Sequence, residues 1–147
     1  MKSEVQRILD DKGAQVFSIS AEASVLDAVH EMNAKGVGAL LVLEDDKPAG
    51  IFSERDVLRR VVENSLDPAT TKVAQVMTRE LIAIKPSITA EEAMAVITSK
   101  RCRHLPVVEA GKIQGMISIG DLTRWSIRNG ETRVQQLVDF VSGKYPA

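Results

Sequence analysis

The chain has 147 residues, 44% hydrophobic, 27% charged and 3% aromatic, with 19 Lys plus Arg against 20 Asp plus Glu. A formal charge of −1 supplies no long-range field for nucleic acid or an anionic membrane, and so few aromatics exclude a base-stacking platform for single strands. One cysteine, Cys102, excludes an intrachain disulfide and a cysteine-rich zinc site; no uncharged run approaches the roughly 18 residues of a membrane span. The charged N-terminal stretch MKSEVQRILDDKG is unlike a signal peptide, and the chain reads as cytoplasmic.

In chain order, Ser3–Leu9 reads as a short helix that covers a surface, and the alternating Val16–Ile19 as a strand. Ser24–Asp27 is a capping-box pattern opening a helix to Lys35, with Leu26, Val29 and Met32 at helical spacing. Gly36 suits a left-handed cap. Ala39–Leu43 and Gly50–Phe52 read as strands joined by the turn Glu44–Pro48, and a helix follows over Asp56–Glu63. The polar segment Ser65–Lys72 leads to a second series. It comprises a strand over Leu81–Ile84 and a helix opened by Thr89–Glu92, ending near Arg101, which lacks the ease of glycine. Strands Leu105–Val108 and Ile113–Ile117 then flank Ala110-Gly111, and a helix runs over Asp121–Arg128. Glu131–Val141 sets Val134, Leu137, Val138 and Val141 on one face, predicting an amphipathic helix that caps a surface.

The second series is the first written again. Val16–Val62 aligns with Leu81–Ile127 without a gap, with identical pairs that include Ile19/Ile84, Leu40/Leu105, Val42/Val107, Gly50/Gly115, Ser53/Ser118, Asp56/Asp121 and Arg59/Arg124. The repeated unit is β-α-β-β-α, an α/β protein of mixed α+β type. A unit this small leaves one face of its sheet bare, so two tandem copies are expected to pack sheet to sheet about a pseudo-twofold axis. The repeat divides the chain into a first unit with the N-terminal helix (1–70), a second unit (71–130), and a C-terminal helix with its tail (131–147).

The search for catalytic chemistry is negative. His30 and His104 have no partner at metal-ligand spacing, no phosphate loop, dinucleotide fingerprint or nucleophile elbow occurs, and no nucleophile stands with a base. Cys102, where a helix gives way to a strand, reads as a small buried hydrophobe. What remains is the twice-written Gly50-Ile-Phe-Ser53-Glu-Arg-Asp56 and Gly115-Met-Ile-Ser118-Ile-Gly-Asp121. Two accounts fit it. Ser-x-x-Asp is a helix cap with an acidic residue in the first turn, and nothing more. Alternatively, the glycine admits a close neighbour, the helix N-terminus offers N–H groups to a phosphate, and the carboxylate accepts two hydrogen bonds from a ribose diol. Arg55, Arg103 and His104 are the candidates for phosphate charge, which together describe a nucleotide seat.

With its Gly-h-h-Ser-x-x-Asp ending each repeat (h, apolar), Val37-Gly-Ala-Leu-Leu-Val, Val76-Met-Thr78 and Arg103-His-Leu-Pro-Val, the chain resembles a tandem pair of cystathionine-β-synthase (CBS) domains, a Bateman module. The likeness spans about Ser3 to Asn129, and is to the short bacterial proteins made of this module alone. It implies a non-catalytic sensor that binds an adenosine-containing ligand in the cleft between units: AMP first, with NAD, ADP, ATP or S-adenosylmethionine as the others, and no metal. It places Asp56 and Asp121 on ribose, Ser53 and Ser118 by ribose or phosphate, and Arg103 and His104 toward phosphate. Thr78, Val16, Phe17, Leu81 and Ile82 are implied as adenine or phosphate neighbours. The first-unit counterparts of Arg103 and His104 are Gly38 and Ala39, and Arg55 faces Gly120 in the alignment, so the two seats are chemically unequal. The resemblance also implies a homodimer, and the sensor reading a protein target; charge and composition leave neither membrane nor nucleic acid as an expected partner. The alternative is an interaction module whose motifs are caps with vestigial sites.

Overall fold

The computed structural model describes residues 3–13, 15–130 and 141. It contains two compact units, Gln15–Leu81 and Met1–Ala14 with Ile82–Ala147, each holding one copy of the repeat.

In the first-repeat unit, β1 (Ser18–Ser20) runs parallel to β2 (Ala39–Glu44), which pairs antiparallel with β3 (Lys47–Ser53) in the order β1-β2-β3. The intervening α2 (Val25–Lys35) starts where Ser24 Oγ accepts the Asp27 N–H at 3.0 Å and stops at Gly36 with φ 66°. Asp45 and Asp46, at φ 50° and 62°, make the tight β2–β3 turn; both left-handed positions suit its twist, and Asp tolerates them. Leu40, Val42 and Phe52 of the sheet are fully buried with Val25, Val61 and Val73.

β3 runs into α3 (Glu54–Asp56), and the chain then departs from the expected regular helix. Val57–Val62 is π-helical, with the Glu63 N–H donating to the Leu58 carbonyl at 3.1 Å and Leu66 to Val61 at 2.9 Å, five residues back in each case. A short helix unforeseen in the sequence, α4 (Val73–Val76), closes the unit.

The second-repeat unit holds α5 (Ala90–Lys100), the antiparallel pair β4 (His104–Glu109) and β5 (Lys112–Ser118), and α6 (Ile119–Gly130). Thr89 and Glu92 form the full capping box at the start of α5. Its end adopts the left-handed cap as well, with Arg101 at φ 55°, although no glycine eases it. The strand expected over Leu81–Ile84 shrinks to one parallel bridge between Ile84 and Val107. The reason is local. In the first repeat the Ala21 N–H extends the ladder to the Leu43 carbonyl at 2.9 Å; its counterpart here is Pro86, which has no N–H to give.

Helix α1 (Glu4–Lys12) packs in this second-repeat unit, although it precedes the first repeat in the chain. Val5, Ile8 and Leu9 join the core of Ile84, Ile97, Leu105 and Ile117. Ser3 Oγ caps α1 and donates to the Pro86 carbonyl, and Glu4 Oε1 accepts the Ala90 N–H at 3.1 Å. The repeat boundary at residue 70 follows sequence similarity, whereas the compact units follow packing. α1 does for the second repeat what Val73–Met77 does for the first: Leu9 lies over Gly115, and Met77 with the Thr78 carbonyl lies over Gly50. The helix expected over Glu131–Val141 lies outside the described residues, save Val141. Among the described residues no helix is long and apolar enough to cross a membrane.

The two glycines differ in what a side chain would strike. A Cβ on Gly50 would sit 2.5 Å from the Thr78 carbonyl oxygen, main chain that is pinned by two hydrogen bonds to Ile51; on Gly115 it would sit 2.6 Å from Leu9 Cδ2, the end of a side chain. Gly50→Ala is expected to cost about 1–3 kcal/mol in denaturant unfolding, and Gly115→Ala less. Leu9→Ala should partly relieve Gly115→Ala in a double-mutant cycle.

Candidate functional site

Each Ser-x-x-Asp motif straddles a strand-to-helix junction. At the β3–α3 junction the Ser53 N–H donates to Asp56 Oδ2 at 2.9 Å, and Ser53 Oγ lies 3.3 Å from the same oxygen. At the β5–α6 junction the Ser118 N–H donates to Asp121 Oδ2 at 2.8 Å, and the Asp121 N–H returns a bond to Ser118 Oγ at 3.1 Å. Sheet register repeats too. Glu54 N–H donates to the Gly38 carbonyl and Ile119 N–H to the Arg103 carbonyl, while Ala39 pairs with Ser53 as His104 pairs with Ser118. Both carboxylates are buried, at 6% and 7% exposure, which a carboxylate serving only as a surface cap has no need to be.

Their further partners differ. Asp56 Oδ1 accepts the Thr78 hydroxyl at 3.2 Å and has Arg60 Nε at 3.5 Å; Arg60 also donates to the Met77 carbonyl at 2.9 Å. Asp121 is held by two closer cations: Arg124 Nη2 at 2.6 Å on Oδ1 and Lys12 Nζ at 2.8 Å on Oδ2. Arg124 aligns with Arg59, yet in the first repeat the neighbouring Arg60 is the one that reaches the carboxylate. The π-helical turn explains the exchange, because its wider winding rotates the arginines relative to Asp56. Lys12 comes from α1, placed here by the packing that the repeat alignment does not contain.

Of the residues singled out in the sequence, the structure brings Ser53, Asp56 and Thr78 together in one unit, and Ser118 and Asp121 with His104 across the ladder in the other. Arg55 and Arg103 are exposed. Phe17 and Val16 are half-buried beside β1, with the Lys35 ammonium 5.5 Å from the Phe17 ring; Leu81 ends one unit and Ile82 packs on the core of the other. Among the described residues no hydrogen bond or ion pair joins Arg55, Arg103, Val16, Phe17, Leu81 or Ile82 to either carboxylate. Lys12, Arg60 and Arg124 were not anticipated. A signal for Lys12 existed in the shared spacing of Val5, Ile8, Leu9 and Val73, Val76, Met77. Cys102 is half-buried rather than fully enclosed, and burial pushes its thiol up, away from nucleophilic character. Among the described residues no group of three His, Cys, Asp or Glu could hold a metal.

The CBS domain family model matches this chain twice, over residues 9–63 and 73–128. The chain belongs to the CBS-domain family. It carries a tandem pair. Over 131 residues it is 36% identical to the CBS domain-containing protein CBSX3, mitochondrial, of Arabidopsis thaliana, a match covering 86% of this chain and 64% of that protein. A structure of a CBS-domain protein from Burkholderia ambifaria, named for signal transduction, superposes with a TM-score of 0.84 at 39% identity, covering 88% of this chain and 97% of the other. An arabinose 5-phosphate isomerase of Yersinia pestis is 32% identical over 113 residues, 76% of this chain but 34% of the isomerase. The likeness is thus to CBS-domain proteins, one of them named for signal transduction, and to the isomerase only over a minor part of its length.

Burial by itself pushes the Asp121 carboxyl up, but the Lys12 hydrogen bond, the Ser118 N–H and the Lys12 charge outweigh it and hold the group below its ordinary 3.8. A carboxylate lowered on folding contributes stability that is complete above about 3.8 and is lost as pH falls through the lower folded value. Lys12→Met removes the main opposing influence, so its acid-unfolding midpoint by circular dichroism should move to higher pH. An unmoved midpoint would refute the coupling.

Proposed function

We propose that Asp56 and Asp121 each grip the ribose diol of an adenine nucleotide, and that the protein is a non-catalytic sensor whose occupancy alters its hold on a partner chain. The observation that carries this reading is the burial of both carboxylates at equivalent strand ends, each bound by its own serine N–H. A carboxylate oxygen has two lone pairs, so neither is exhausted by those bonds. Asp56 is the more accessible acceptor: its contacts to Thr78 and Arg60, at 3.2 and 3.5 Å, are long and yield readily to a diol, whereas Lys12 and Arg124 hold Asp121 tightly. In this reading Ser53 and Ser118 lie by ribose or phosphate, Thr78 by the sugar, and Arg55, Arg103 and His104 on the phosphate side. AMP is the first choice of ligand, with NAD, ADP, ATP and S-adenosylmethionine as competitors. No group of the site supplies a nucleophile paired with a base, so a regulatory part fits better than a catalytic one.

A homodimer belongs to the same reading. Leu58 and Val62, 64% and 60% exposed on the π-helical turn, leave apolar surface for a second copy, and light scattering of the purified chain reads its mass. The competing interpretation, an interaction module with the motifs as caps only, draws on the reciprocal Ser118–Asp121 bonds, which are complete without a ligand.

Ligand at a hundred times its dissociation constant stabilises a fold by about 2.7 kcal/mol, which is about 5–10 °C in melting temperature for a chain of this size. Asp56→Asn and Asp121→Asn should each weaken nucleotide binding at their own seat about ten- to a hundredfold. No melting shift with any of the five ligands, or unaltered affinity in both variants, would overturn the ribose assignment.

A further inference from the structure

A groove of about 620 Å³ lies within the second-repeat unit, where the first turns of α1, the segment leading into α5 and the end of β4 meet. Glu4 and Arg7 line it from α1, Pro86, Ser87 and Thr89 from the segment before α5, and Glu109 from β4. It shares no residue with either Ser-x-x-Asp motif. Asp121 is met by Lys12 at the far end of α1, about 12 Å along the helix from Glu4.

The first repeat has the same place closed by its own bonds. There Glu44, which aligns with Glu109, is paired with Arg79 at 3.2 Å, and the Leu43 carbonyl takes the Ala21 N–H at 2.9 Å. In the second repeat neither bond has a counterpart among the described residues. Pro86 stands where Ala21 does and has no N–H for the Val108 carbonyl, which aligns with that of Leu43. Among the described residues no hydrogen bond or ion pair engages the side chain of Arg7 or of Glu109. The groove is thus bordered by a guanidinium, a carboxylate and a main-chain acceptor that internal partners do not claim.

Charges of both signs stand on its different walls. Arg7 is a full cation, and α1 and α5 both begin here, each bringing roughly half a positive charge at its N-terminus. Glu4 and Glu109 oppose them, so the lining is close to neutral in sum yet strongly polar from wall to wall. Such a lining favours neither a simple anion nor a simple cation, but a molecule that is itself neutral with separated charged ends. The Arg7 fork matches a carboxylate, and the Glu109 carboxylate with the Val108 carbonyl accepts the N–H groups of an ammonium. The volume falls in the range of about 300–1,000 Å³ usual for small-molecule sites, and three extended residues span about 10 Å.

We propose that this groove is a separate binding site for a short peptide of two or three residues with both ends free, its carboxylate on Arg7 and its ammonium on Glu109. The site rests on nothing in the nucleotide reading and stands or falls without it. Trialanine, its N-acetylated form and its C-terminal amide are titrated into the full chain by isothermal calorimetry at fixed ionic strength. Trialanine should give a saturable heat, and each blocked peptide should bind about tenfold more weakly or worse. Arg7→Gln and Glu109→Gln, both at exposed positions, should leave the melting temperature unchanged and each weaken trialanine by about tenfold or more. The pairing of variant with peptide is the sharper readout. In Arg7→Gln the amide should bind as well as the free acid, and in Glu109→Gln the acetylated peptide as well as the free amine. No heat from trialanine, blocked peptides that bind as tightly as the free one, or affinity unaltered in both variants would each overturn the site.

Discussion

A carboxylate buried at a strand-to-helix junction and held by the amide of the serine three residues earlier is the constraint around which each half is built. Taking Asp56 or Asp121 out of water is costly unless its oxygens are met by donors, and the serine N–H meets one of them with main chain that the strand has already fixed. The bond therefore sets where β3 and β5 end and the helices begin. It also aims the rest of the carboxylate toward whatever else approaches. Side-chain donors from α1 in one half, and from the segment after α4 in the other, complete the shell.

Those completing donors break the equivalence that the repeat sets up. Identical pairs in the alignment do not do identical work: Arg124 reaches its aspartate, Arg59 does not, and Arg60 takes its place because the winding changes from α to π after Asp56. A neutral hydroxyl from Thr78 stands by one carboxylate and an ammonium from Lys12 by the other. Two carboxylates at matching positions thus have different surroundings: a hydroxyl and one longer-range guanidinium for Asp56, two close cations for Asp121.

Much of this was legible in the sequence because it is written in local terms. The gapless register of apolar residues predicted the repeated unit, the caps at Ser24 and Thr89 were confirmed, and the Asp45-Asp46 and Ala110-Gly111 turns closed the expected hairpins. The illegible parts are those decided by tertiary context. Helix α1 was expected where chain order suggests, but its Val5, Ile8 and Leu9 pack with the second repeat, and so Lys12 went unnoticed beside Asp121. Arg101 takes a left-handed conformation that its type disfavours, a local cost met by the surrounding structure. Pro86 quietly removes a ladder rung where alternation alone promised a strand. The paired Ser-x-x-Asp motifs were found, yet their sequence could not say that both carboxylates would be buried.

The placement of α1 has a consequence for biosynthesis. Its apolar face is translated before the first repeat, whereas the surface it seals, from Ile84 to Ile117, emerges from the ribosome only after that repeat is complete. Throughout that interval Val5, Ile8 and Leu9 have no native place to go. The first repeat closes early with Val73–Met77, its own late segment, while the opening helix waits on a contact of high sequence separation, the kind that folds slowly. In a nascent chain the apolar face of α1 thus stays uncovered until the second repeat has been made, and its docking follows the synthesis of both repeats.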